Sequence, residues 1–104
     1  LLKMDTIIYK KRERLCRGKL NNFNDLPEKT RDEFSKIKKE ILIENPNVRC
    51  YVMGSYFWGF WDDMSDLDVV VDNPIINLDK IKKKLPNIKF DILNINGFRE
   101  IEIP

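Results

Sequence analysis

Apolar residues recur along this chain with two periods, and the switches between them mark its elements. Phe34, Ile37 and Ile41 fall at helical spacing, with Leu42 widening the stripe and Lys36, Lys38 and Lys39 on the other side. That pattern predicts an amphipathic helix. Asp25-Leu26-Pro27-Glu28 ahead of it reads as an Asp N-cap, a proline in the first turn and a capping-box Glu. Asn45-Pro46-Asn47 stops it. Val48 to Met53 then reads as a short strand running into Gly54-Ser55. A second strand is predicted from Asp66 to Val71, closed by Asp72-Asn73-Pro74. Because strand side chains alternate, Leu67, Val69 and Val71 share one face while Asp66 and Asp68 share the other. Leu78, Ile81 and Leu85 predict another helix, with Lys80, Lys82, Lys83 and Lys84 outward and Pro86-Asn87 ending it. From Ile88 to Ile95 the alternation returns: Ile88, Phe90 and Ile92 on one face, Lys89, Asp91 and Leu93 on the other. Asn96-Gly97 is a turn signal, from which Phe98 to Ile103 is expected to return as a fourth, antiparallel strand.

The N-terminal part differs. Between Asp5 and Leu20 the residues Lys10, Lys11, Arg12, Arg14, Arg17 and Lys19 are interrupted by Ile7, Ile8, Leu15 and Cys16. A short basic helix is expected there, ended by Gly18 and Asn21-Asn22. The full order is helix, helix, strand, strand, helix, strand, strand. It implies an α+β fold: a small mixed β-sheet with helices packed on one face.

Composition narrows the chemistry. At 104 residues the chain suits a single domain, with residues 1–24 as the basic N-terminal helical segment and 25–104 as the core. A hydrophobic content of 42% and a net charge of +2 describe a folded globule with no bulk attraction to nucleic acid or membrane. The absence of histidine removes Ser-His-Asp and Cys-His catalysis and every imidazole base or ligand. Cys16 and Cys50 belong to no CxxC pair, so zinc is unsupported and two reduced thiols are expected. No apolar run reaches membrane-spanning length and no signal-like segment is evident, so a cytoplasmic location and no membrane partner are expected.

The candidate chemistry is acidic. Asp66 and Asp68 stand side by side on a strand, and each close pair of carboxylates costs on the order of a few kcal/mol at an effective dielectric near 20. Asp62, Asp63 and Asp72 make the whole region acidic, as a solvated loop would be, but those three fall in turns. Asp91 lies on the polar face of its own strand; if the two strands are neighbours, three carboxylates meet on one open sheet face. Hard oxygen donors of this kind, with substrate phosphates, suit Mg²⁺. Two such ions about 3.5–4 Å apart clamp the attacking and leaving oxygens of a phosphoryl displacement. Gly54-Ser55 adds a turn where backbone can approach a phosphate closely, with a hydroxyl beside it. The aromatic run Tyr56, Phe57, Trp58, Phe60, Trp61 cannot all face inward, so part is expected in the core and part free to stack a base or meet a partner.

Taken together, Gly54-Ser55-x-x-x-Gly59, then Ser65-Asp66-Leu67-Asp68, then Asp91 resembles the pattern of the DNA polymerase β-like nucleotidyltransferase superfamily, especially its minimal nucleotidyltransferases. The resemblance covers roughly residues 34–94. It implies the nucleotidyltransferase fold and a metal-dependent transfer of a nucleoside monophosphate from an NTP, ATP foremost, to an acceptor hydroxyl with release of pyrophosphate. Gly54, Ser55 and Ser65 would bind the nucleotide. Asp66, Asp68 and Asp91 would be the catalytic residues and the ligands of two Mg²⁺ ions, with Mn²⁺ as a substitute. The acceptor would be a protein, an RNA or a small molecule, and a helical protein partner or a second copy would complete the surface. Minimal members carry arginine just after Gly-Ser, where this chain has Tyr56, Phe57 and Trp58. That departure supports an alternative within the same fold: a non-catalytic, antitoxin-like module that binds a toxin partner.

Overall fold

A computed structural model of the chain describes residues 15–72 and 77–104. The greater part of the expected basic helix lies outside those residues; the described remainder, 15–20, is not helical. Its Gly18 sits against Gly59, and Leu20 N donates to Phe57 O at 2.7 Å.

Helix α1 spans Glu28–Glu44 and buries Phe34, Ile37 and Ile41 completely. The expected Asp N-cap is not formed. Asp25 closes a 3-10 turn, Phe23–Asp25, capped by the Asn22 side chain, and Pro27 occupies the N-cap position of α1. The cause is Leu26: it is extended, as a residue before proline prefers, and is buried in the core. Asn45 ends the helix by donating to Ile41 O at 2.9 Å.

Strand β1, Cys50–Met53, leads through Gly54 into the single turn of helix α2, Ser55–Trp58. Strand β2 is Leu67–Val71, helix α3 is Leu78–Lys84 and strand β3 is Phe90–Asn94. The strands form a mixed sheet of order β1-β2-β3, β1 antiparallel and β3 parallel to the central β2. A parallel neighbour needs a crossover, and α3 lies within it. Lys80 and Lys84 of α3 pair with Glu44 and Glu40 of α1 at 3.1 and 3.5 Å. The α+β class and the small mixed sheet are as expected. The alternation holds too, since Leu67, Val69, Val71 and Phe90 pack with Cys50, Val52 and the helices into one core.

The fourth strand is not a hairpin on β3. Residues 96–97 do turn, with Gly97 at φ 84°, but the chain continues to the other side of the sheet. There Val52 N donates to Ile101 O and Ile103 N to Cys50 O, each at 2.8 Å, and Tyr51 and Glu102 form an antiparallel bridge. Full burial of Ile103 accounts for this route. Lys38, expected to face solvent, reaches across to Ile103 O at 2.8 Å.

Both described cysteines are free: Cys16 exposed, Cys50 buried with its pKa pushed up to about 11 by that burial. A thiol reagent at neutral pH is therefore expected to modify Cys16 within minutes and Cys50 only after unfolding. Mass spectrometry of the native and urea-treated protein distinguishes the two, and rapid native labelling of Cys50 would contradict the packing described.

Candidate active site

The fold aligns two of the aspartates directly. Asp68 and Asp91 are register partners on parallel strands, and Met53 completes the row on β1. Partners in register point to the same side of a sheet whose strands lie about 4.8 Å apart. That side is the one away from Leu67, Val69 and Phe90. Asp66 falls one residue before β2 and is exposed, two positions from Asp68.

Asp68 is half-buried, and its pKa is raised first by burial and then by the negative charges of Asp91 and Asp66. Asp68 thus feels the charge of both neighbours. The three carboxylates are not, however, drawn together as ligands: among the described residues no three His, Cys, Asp or Glu side chains form a group that could hold a metal ion. Asp91 Oδ1 accepts from the N–H of Ile92 at 2.9 Å, turned back on its own strand. Both Asp66 and Asp91 are exposed, where like charges can spread into solvent. The donor set is all carboxylate oxygen, which matches the hard cations Mg²⁺ and Mn²⁺.

Gly54 stands directly against this group. Its φ of 69° and ψ of −150° belong to glycine, and a Cβ there would lie 2.2 Å from Asp68 Oδ2. The turn and the acidic row are therefore in contact. Gly54 O accepts from the N–H groups of Phe57 and Trp58, both at 3.0 Å, starting α2. Ser55 is half-buried and carries its hydroxyl at the first position of that turn.

Ser65 is otherwise engaged. Its Oγ accepts from Asp62 N at 2.8 Å and lies 3.3 Å from Asp62 Oδ1, while its own N–H donates to Asp62 O at 3.1 Å. Met64 N donates to Asp62 Oδ1 at 2.9 Å. The hydroxyl thus closes the turn that delivers Asp66 to the sheet. A groove of about 410 Å³ opens beside this turn, lined among others by Lys29, Glu33, Trp61, Ser65, Asn87 and Lys89. None of the three carboxylates lines it.

The aromatic run divides between core and surface. Tyr56 and Phe57 are buried, Tyr56 edge-on to Phe34 and Phe57 edge-on to Phe98. Trp61 stacks on Tyr56 with ring centres 5.4 Å apart. Trp58 and Phe60 remain 49% and 44% exposed. Sequence reading missed the partner of Trp61, which is Arg17: its guanidinium lies 3.7 Å from the ring centre and donates to Trp61 O at 2.6 Å. Neither residue signals the contact locally, since 44 positions separate them.

No helix among the described residues is long and apolar enough to cross a membrane. Comparison of the chain with protein-family models, curated proteins and solved structures finds no match.

Proposed function

We propose that the chain is a metal-dependent nucleotidyltransferase of the DNA polymerase β-like kind, moving a nucleoside monophosphate from an NTP to an acceptor hydroxyl. The observation that carries this reading is Asp68, half-buried, packed on Gly54 and held above the usual carboxylate range by burial, Asp91 and Asp66. A fold gains nothing from crowding acids around a backbone bend; a phosphate–cation complex does. In this reading Gly54 and Ser55 hold phosphate oxygens, and Asp66, Asp68 and Asp91 hold Mg²⁺, which when bound neutralises developing charge on the phosphates. Asp91, which is exposed, would in this reading accept the acceptor's proton. The acceptor oxygen bonds to the α-phosphorus, the α–β bridging bond breaks, and pyrophosphate leaves.

The test is incubation with Mg²⁺ and ATP labelled at the α-phosphorus or, separately, at the γ-phosphorus, in host lysate. The expected result is a product carrying only α-label with matching pyrophosphate release. γ-Label in the product, or no release above the background of an Asp66→Asn/Asp68→Asn control, would sink the proposal.

A second reading draws on the exposed Trp58 and Phe60, and on Tyr56, Phe57 and Trp58 standing where minimal nucleotidyltransferases carry arginine. The exposed pair suits a surface that docks a helical partner without chemistry. In that case Trp58→Ser/Phe60→Ser abolishes complex formation while the Asp68→Asn protein keeps it.

A further inference from the structure

Between the acidic row and α2 runs the loop of residues 61–66, which ends on Asp66, one residue before β2. Its internal bonds all involve Asp62: Ser65 N to Asp62 O, Met64 N to Asp62 Oδ1, and Asp62 N to Ser65 Oγ. They close a tight turn. What fixes its first residue comes from a distant part of the chain. Arg17 covers the ring of Trp61 at 3.7 Å, and its Nη1 donates to the Trp61 carbonyl at 2.6 Å. Trp61 also stacks on Tyr56, which is buried.

The backbone around Arg17 is itself pinned. Arg17 N donates to Gly59 O at 2.9 Å, and Leu20 N to Phe57 O at 2.7 Å. Gly18 and Gly59 approach so closely that a Cβ on Gly59 would lie 2.1 Å from Gly18 O. Residues 17–20 therefore form a strap across α2 and the start of the loop. Arg17 is the one side chain in it that grips the loop beyond Phe60. The neighbouring Lys19 points elsewhere, pairing with Glu100 at 3.2 Å with both partners about half exposed.

We propose that Arg17 is a positioning residue: its grip on Trp61 holds the 61–66 loop and with it the place of Asp66 beside Asp68, the pair that the nucleotidyltransferase reading assigns to the cation. The second half rests on the nucleotidyltransferase reading; the grip itself does not. Lysine cannot replace it fully, because the planar guanidinium both covers the ring and donates sideways to the carbonyl, whereas an ammonium is a point donor.

The experiment compares wild type, Arg17→Lys, Arg17→Ala and the control Lys19→Ala as full chains. Amide hydrogen exchange is read at residues 62–66 and at α1, followed by Mn²⁺ affinity from paramagnetic resonance. Loss of a charge-assisted hydrogen bond and a cation–π contact is expected to speed exchange at 62–66 by about tenfold in Arg17→Ala. Arg17→Lys should be intermediate, and α1 and Lys19→Ala unchanged. Mn²⁺ affinity should fall in the same order, by about threefold to tenfold. Unchanged exchange at 62–66, or an equal rise in α1, would overturn the grip as a local device. A loosened loop with undiminished Mn²⁺ affinity would overturn the positioning role. A wild type that binds no Mn²⁺ would overturn the transferase reading and the positioning role together, while the exchange data still decide the grip.

Discussion

Replacing Asp68 with asparagine is expected to lower nucleotidyl transfer by about a thousandfold or more while leaving the metal-free protein equally or more stable. The first half follows from the several kcal/mol of charge stabilisation that a metal-held phosphate requires, each 1.36 kcal/mol being worth about tenfold in rate. The second half follows from the raised pKa of Asp68, caused by burial and then by Asp91 and Asp66. A carboxyl group whose folded pKa lies above its unfolded value of about 3.9 binds protons more tightly when folded. Its contribution to stability is thus complete below the unfolded pKa and is lost as pH rises through the folded one. At neutral pH the ionised Asp68 therefore works against folding, and asparagine removes that strain. Urea unfolding of both proteins at pH 3.5 and pH 7 checks this: the advantage of Asp68→Asn should appear at pH 7 and shrink at pH 3.5. A variant markedly less stable than wild type at pH 7 would make Asp68 a structural residue instead.

The second large effect is expected at Gly54. Alanine there must adopt a φ of 69° and place its Cβ 2.2 Å from Asp68 Oδ2, 3.0 Å from its Cγ and 3.1 Å from its Cβ. A φ of 69° with a ψ of −150° is essentially confined to glycine and costs another residue on the order of 1–3 kcal/mol, and the clash forces either the turn or Asp68 to move. A loss of roughly 2–4 kcal/mol is expected for Gly54→Ala, at the upper end of ordinary point substitutions. The cause can be tested by coupling. Removing the side chain that is struck, in Gly54→Ala/Asp68→Gly, should make the double variant less destabilised than the sum of the two single ones. Strict additivity would mean that the bend and the acidic row do not touch. Transfer activity should fall in the single variant even where folding is retained at low temperature.

Much of this arrangement is legible in the sequence. The stripe Phe34, Ile37, Ile41 and the alternation through Leu67, Val69 and Val71 report burial, and these residues are among the least exposed in the chain. Strand alternation puts Asp68 and Asp91 each on the polar face of its strand, and the parallel register of β2 and β3 aligns the two, while Asp66 lies one residue before β2. What sequence could not supply were the preferences that lost to more distant contacts. Asp25 has the chemistry of an N-cap, but the extended Leu26 before Pro27 moves the helix start beyond it. Asn96-Gly97 does turn, yet Ile103 gains more by complete burial next to Cys50 than by pairing with β3. The bond of the Ser65 hydroxyl to Asp62, three residues away, is a side-chain arrangement that the motif does not specify. The side-chain positions of the acidic row were beyond reach for a simpler reason. Alternation fixes the face on which Asp91 stands, not whether its carboxylate turns toward Asp68 or back to Ile92 N.

The claim on which the rest depends is that a cation gathers Asp66, Asp68 and Asp91 beside Gly54. The most direct check is a titration of the isotopically labelled protein with Mn²⁺, with and without ATP, following paramagnetic broadening of individual amide signals. Broadening should begin at Gly54, Ser55, residues 66–69 and residues 91–92, strengthen with ATP, and vanish from that set in the Asp66→Asn/Asp68→Asn protein. Broadening that starts instead on the Glu40–Glu44 face of α1, or that survives unchanged in the double variant, would show that the acidic row does not hold the ion.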